Sequence, residues 1–254
     1  MPRHVALLPL LLGLSAAAWL ATSRLADPGM RLGILTGAAD RSPADAAMPI
    51  ELPLAIALFM ATWTVMMVAM MFPAVAPVVL TFDRWARSKA RPRSVTAAFL
   101  GGYLAVWSLI GLAAYAAVVV LQTLVPAGDP SAHRVGGALL VAAGVYEMTP
   151  LKGLCLRHCR SPIGIVMQYA NLLADGHRGP FRVGLVHGLY CVGCCWSLML
   201  VLVLLGVMDL AWMGVVASLI FAEKVLPFGA LLSRVSGIAL IAAGVVLATG
   251  LTFT

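Results

Sequence analysis

The stretch GLYCVGCCWSLM (residues 188–199) holds Cys191, Cys194 and Cys195 within five positions of a long apolar run, and His187 stands one helical turn ahead of them. On a helix, which turns about 100° per residue, these four side chains share one arc of about 100° and Trp196 points away. Reduced thiolate with imidazole is a soft donor set, suited to Cu(I), Zn(II) or iron–sulfur chemistry. A second group follows the apolar run that ends Tyr146-Glu147-Met148. There LKGLCLRHCRSP (residues 151–162) carries Cys155, His158 and Cys159 in a C-x-x-H-C arrangement. A third lies in MATWTVMMVAMMFP (residues 60–73), where Met60, Trp63, Met67, Met70 and Met71 share an arc and Met66 sits at its edge. Each group has a plainer reading. A cysteine in a membrane helix often serves as a small core hydrophobe, and a methionine stripe as core filler. Glu147 and Glu223 fall in or near apolar runs, where a carboxylate is costly unless paired or functional. They are candidate proton carriers, although Glu223 could instead pair with Lys224 or Arg234.

The elements that must position these residues follow from composition. Of 254 residues, 62% are hydrophobic and 11% charged, against about a quarter charged in a soluble domain. Apolar runs at 5–21, 52–82, 96–125, 135–150, 183–207, 210–226 and 235–253 predict an all-α membrane protein with about seven transmembrane helices. Residues 1–22 read as the first transmembrane helix, or as a signal-like segment. Residues 23–51 read as an outer loop, and 52–254 as a six-helix metal-binding membrane domain. Pro150 should end or kink the fourth run. Residues 151–182 should form an inner segment, with IGIVMQYANLL lying on the surface or re-entering.

With the N-terminus in the cytoplasm, 13 of the 17 Lys and Arg residues flank the inner side and 4 the outer. The positive-inside rule then sets the N-terminus cytoplasmic and the C-terminus outside. The net charge of +7 is thereby explained by orientation and by anionic lipid heads, and no aromatic–basic interleaving supports a nucleic-acid partner. In this topology all five cysteines, His158, His187, both glutamates and the methionine stripe fall in the cytoplasmic half, where thiols stay reduced.

Four stretches, WTVMMVAMMFPAVAP (63–77), YEMTPLKGLCLRHCRSP (146–162), GLYCVGCCWSLMLVLVLLGVMDLAWM (188–213) and the Glu223-Lys224 pair, resemble an uncharacterised bacterial family of predicted metal-binding integral membrane proteins, a domain of unknown function with MMxAMM and YCxGCCW motifs. The resemblance covers roughly residues 50–250. It implies a multi-span fold and a metal site formed by Cys155, Cys159, Cys191, Cys194 and Cys195, with Met66, Met67, Met70 and Met71 as candidate partners. It supplies neither the metal nor a reaction.

Three functions compete. The first is handling of a soft metal ion in a bacterial inner membrane, copper being favoured over zinc or iron, with a metal-donor or acceptor protein as partner. Near the outer face only Met208 and Asp209 could continue a ligand path, which favours binding or delivery over full transport. The second is a membrane-embedded, metal-dependent redox enzyme acting on a lipid-soluble substrate. Its thiol–disulfide variant ranks low, because adjacent cysteines close strained rings. The third is a structural or assembly role with incidental thiols. Glycine-rich faces at 101 and 136 allow a homo-oligomer.

Overall fold

The computed structural model describes residues 3–25, 52–87, 92–124, 131–173, 178–205 and 209–250, and these are helical with short connections. The outer loop expected over 23–51 falls almost wholly outside them, as does Met208. Each apolar run returns as a helix: α1 Arg3–Leu25, α2 Leu52–Ala86, α3 Pro92–Leu124, α4 Ser131–Glu147, α8 Arg178–Leu205, α9 Leu210–Val225 and α10 Gly229–Thr249. Between α4 and α8 lie three shorter ones, α5 Pro150–Cys159, α6 Pro162–Gln168 and α7 Ala170–Leu173, where the sequence predicts an inner surface segment.

Among the described residues five helices, α1, α2, α3, α8 and α10, are long and apolar enough to cross a membrane, and α4 with α5 adds a sixth if that bent pair counts as one span. Helix α9 has 16 residues, or about 24 Å of rise, shorter than a hydrocarbon core of about 30 Å. Asp209 caps its start by accepting from the Ala211 and Trp212 amides at 3.0 and 3.1 Å.

Pro150 acts as the sequence predicts. The chain bends by 64° between α4 and α5. Proline suits the first turn of the new helix, where its missing N–H is no loss. Thr149 caps that turn, accepting from the Lys152 amide at 3.3 Å. This bend swings α5 against α8.

Helix α4 packs on α10, α3 on α8, and α2 on both α1 and α3. In lipid, helices associate through close van der Waals fit, which small residues permit. Gly137 faces Gly244 and Gly144 faces Gly237 across the α4–α10 seam: a methyl added to any of the four would meet the opposite glycine's carbonyl oxygen at 2.5–2.9 Å. At the α3–α8 crossing, a methyl at Gly102 would strike the Phe181 carbonyl and one at Gly184 the Phe99 carbonyl. Gly102 and Gly137, one from each glycine pair noted in the sequence, thus sit in seams within the chain, while Gly101 is exposed. Elsewhere Trp63 Nε1 donates to Trp107 O at 2.9 Å, tying α2 to α3, and Ser15 Oγ donates to Ala69 O at 2.7 Å, tying α1 to α2.

The α4–α10 seam yields a stability test. Gly144→Val should lower the thermal midpoint of the detergent-solubilised protein by several degrees, since overpacking costs about 1–3 kcal/mol. Gly214→Ala, where nothing lies within 4 Å of the added carbon, should leave it unchanged; equal effects would refute the close-packed seam.

Candidate metal centre

Helix α8 carries His187, Cys191, Cys194 and Cys195, all buried, while Trp196 faces outward against Tyr146, ring centroids 4.7 Å apart. Helix α5 supplies the second set. Cys155 and Cys159 are four residues apart and so share a face, and the 64° bend turns that face onto α8. Cys159 Sγ lies 3.5 Å from Cys194 Sγ. Cys155 Sγ lies over the backbone of Gly193, 2.7 Å from where a β-carbon would stand. The Cys194 and Cys195 thiols donate to Cys191 O at 3.1 and 2.9 Å. All five cysteines are free thiols.

Cys191 has two further partners that the sequence reading leaves out. Lys224 of α9 donates from Nζ to Cys191 Sγ at 2.9 Å, and the Tyr103 hydroxyl of α3 lies 3.1 Å from the same sulfur. Four helices thus meet at the thiols: α3, α5, α8 and α9. His187 sits beside this cluster, stacked on Phe99 and Tyr103 with both centroid distances 5.9 Å. Its Nδ1 is buried and has no hydrogen-bond partner. A buried polar atom without a partner is uncommon and calls for a ligand or another explanation.

Not every candidate joins. The His158 ring is half-buried, turns its Nδ1 to Leu154 O at 3.0 Å and stacks in parallel on Tyr190 at 4.2 Å. Met66, Met67, Met70 and Met71 are at most 1% exposed and belong to the same core as the cysteines. Their helix packs chiefly on α1, α3, α6 and α9. Among the described residues, no group of three or more His, Cys, Asp or Glu side chains converges as a metal-holding set. The Cys159 and Cys194 sulfurs are in contact, and the Cys191 thiol is within hydrogen-bonding reach of both.

The buried carboxylates form a separate network. Lys152 Nζ reaches Glu147 at 2.6 Å and Glu223 at 2.8 Å. Glu147 also accepts from the hydroxyls of Ser197 and Ser233, the latter at 2.8 Å, and Glu223 from Ser236 at 3.2 Å. The expectation that Glu223 pairs with Lys224 or Arg234 is corrected: its partner is Lys152, 71 residues away. Consecutive residues on a helix point about 100° apart, so Glu223 and Lys224 face different neighbours. Lys152 and Lys224 are also not inner-loop charges, being 1% and 8% exposed. Leaving them out, the basic residues divide eleven against four, in the same direction. A Glu-Lys pair at the end of an apolar helix was the available signal for Lys224; nothing local marked Lys152 or Tyr103.

The sequence model of a family described as PpoB2, copper chaperone, matches residues 60–247. The match takes in the methionine stripe, every cysteine, both buried lysines and both buried glutamates, and leaves out α1. No curated protein and no solved structure matches the chain.

Removing one partner of a buried ion pair costs about 3–5 kcal/mol. Lys152→Met should therefore lower the unfolding midpoint in detergent markedly. The triple variant Glu147→Gln, Lys152→Met, Glu223→Gln should recover most of that loss. A single variant that melts like wild type would show that the network does not hold α4, α5 and α9 together.

Proposed function

This chain belongs to the PpoB2 copper chaperone family, and from that membership we propose that it receives Cu(I) on its thiol cluster within a bacterial inner membrane and passes it to an acceptor protein. The observation that carries the reading is the contact between Cys159 of α5 and Cys194 of α8, 3.5 Å apart inside the helical core. Two soft sulfurs from separate helices suit a soft monovalent ion. Cys191 and Cys195 extend the donor set on α8, Cys155 on α5, and the unpartnered Nδ1 of His187 offers a neutral nitrogen.

In this reading residues 52–254 form the metal-binding unit of a multi-pass protein with about seven spans and a cytoplasmic N-terminus. The eleven-to-four division of basic residues supports that orientation. The thiols then lie in the cytoplasmic half, where copper is reduced and thiols persist. Delivery by ligand exchange needs donors that an incoming thiolate can replace one at a time, and a cluster of five thiols on two helices supplies them. Met66, Met67, Met70 and Met71, buried in the same core as the cysteines, would serve as weak thioether donors. Glu147 and Glu223, offered above as proton carriers, are both engaged by Lys152, which gives the redox-enzyme alternative no added support.

The test is metal content and affinity. Purified anaerobically in detergent with reductant, the protein should hold Cu(I) in competition with a chromophoric Cu(I) chelator. Cys159→Ser and Cys194→Ser should each weaken retention at least tenfold, whereas His158→Ala should leave it within twofold. Wild-type protein that yields all its copper to a weak chelator would end the proposal.

A further inference from the structure

Lys224 brings to the thiol cluster a charge that sulfur coordination does not itself require. Its side chain is buried, its Nζ lies 2.9 Å from Cys191 Sγ, and among the described residues no carboxylate forms an ion pair with it. Glu223, its neighbour in sequence, turns to Lys152 and Ser236; Glu147 turns to Lys152, Ser197 and Ser233. A buried ammonium without a counter-charge is strongly disfavoured in a low-dielectric interior. The atoms placed to supply that charge are sulfurs.

We propose that Lys224 is the built-in counter-cation of a two-thiolate site at Cys191, and that its fixed positive charge makes the site select a monovalent soft cation over a divalent one. This rests on the copper reading above and deepens it.

Charge balance carries the inference. Thiols bind metals as thiolates. A monovalent ion on two thiolates leaves one net negative charge, which the adjacent ammonium neutralises. A divalent ion on the same two thiolates is already neutral and leaves the ammonium stranded. Restoring balance for a divalent ion would take a third thiolate, and among the described residues no three donors converge. Zinc also prefers four ligands in tetrahedral array, whereas Cu(I) and Ag(I) accept two or three soft donors. The second thiolate comes from the Cys159–Cys194 pair, both of whose side chains hydrogen-bond with that of Cys191. His187, if it adds Nδ1, is neutral and leaves the balance unchanged. Lys152 cannot substitute for Lys224, because two carboxylates hold it. Tyr103, 3.1 Å from Cys191 Sγ, steadies the sulfur without adding charge.

Affinities for Cu(I), for Ag(I) as a redox-silent probe, and for Zn(II) are measured by competition on wild type, Lys224→Met and Lys224→Arg, all in detergent with reductant. Circular-dichroism melting checks that each variant is folded. Lys224→Met should bind Cu(I) and Ag(I) at least tenfold more weakly, with Zn(II) affinity unchanged or raised; Lys224→Arg, which keeps the charge, should stay within threefold of wild type for the monovalent ions. Should Lys224→Met not fold, Lys224→Gln makes the same comparison. A neutral variant that binds the monovalent ions like wild type overturns the counter-cation role while leaving the copper reading standing. Equal loss of monovalent and divalent binding overturns it too, marking Lys224 as merely structural. Wild-type protein that holds neither Cu(I) nor Ag(I) removes the copper reading and this one with it.

Discussion

A charge inside an apolar helical bundle must find its opposite there, and that requirement organises this protein's interior. Four ionisable side chains, Glu147, Lys152, Glu223 and Lys224, are at most 8% exposed. One cation answers two carboxylates, and three serine hydroxyls complete their hydrogen bonding. The second cation answers sulfur. Because the partners come from α4, α5, α8, α9 and α10, the network fixes how five helices sit together, with a directionality that apolar contact in lipid does not provide.

The thiol cluster depends on that arrangement. Helix α5 is only ten residues long and would not hold a position on its own. It is held by its Thr149 cap, by the bond from Lys152 to α9, and by Cys155 seated on the bare backbone of Gly193. Tyr146 Oη also donates to Gly193 O at 2.6 Å. Cys155 and Cys159 reach α8 because the residues around them anchor the helix, so the ion-pair network positions the thiols without contributing to them.

Family membership and the geometry bear on different questions. The match over 60–247 associates the chain with copper, which the donor types alone leave open among several soft metals. The arrangement of α5, α8 and α9 shows which thiols meet and which basic residue faces them. The methionine stripe, prominent in the sequence, is buried in the same core as the cysteines.

The residues themselves determined a good deal. Helical periodicity over 187–195 put His187 and three cysteines on one face, and the same arithmetic turned Trp196 outward. Apolar runs predicted the seven long segments, since each must bury its backbone polar groups in its own hydrogen bonds. Pro150 marked the bend. Tertiary structure alone decided the partners. Lys152 and Glu223 stand 71 positions apart, and Cys191 is 33 positions from Lys224 and 88 from Tyr103. No local pattern encodes such pairings, because they arise from where helices cross. The sequence placed Lys224 near the headgroups by its depth along a helix, whereas its side chain is buried against Cys191. Depth follows from counting residues, but the direction a side chain faces among neighbouring helices follows only from how those helices pack.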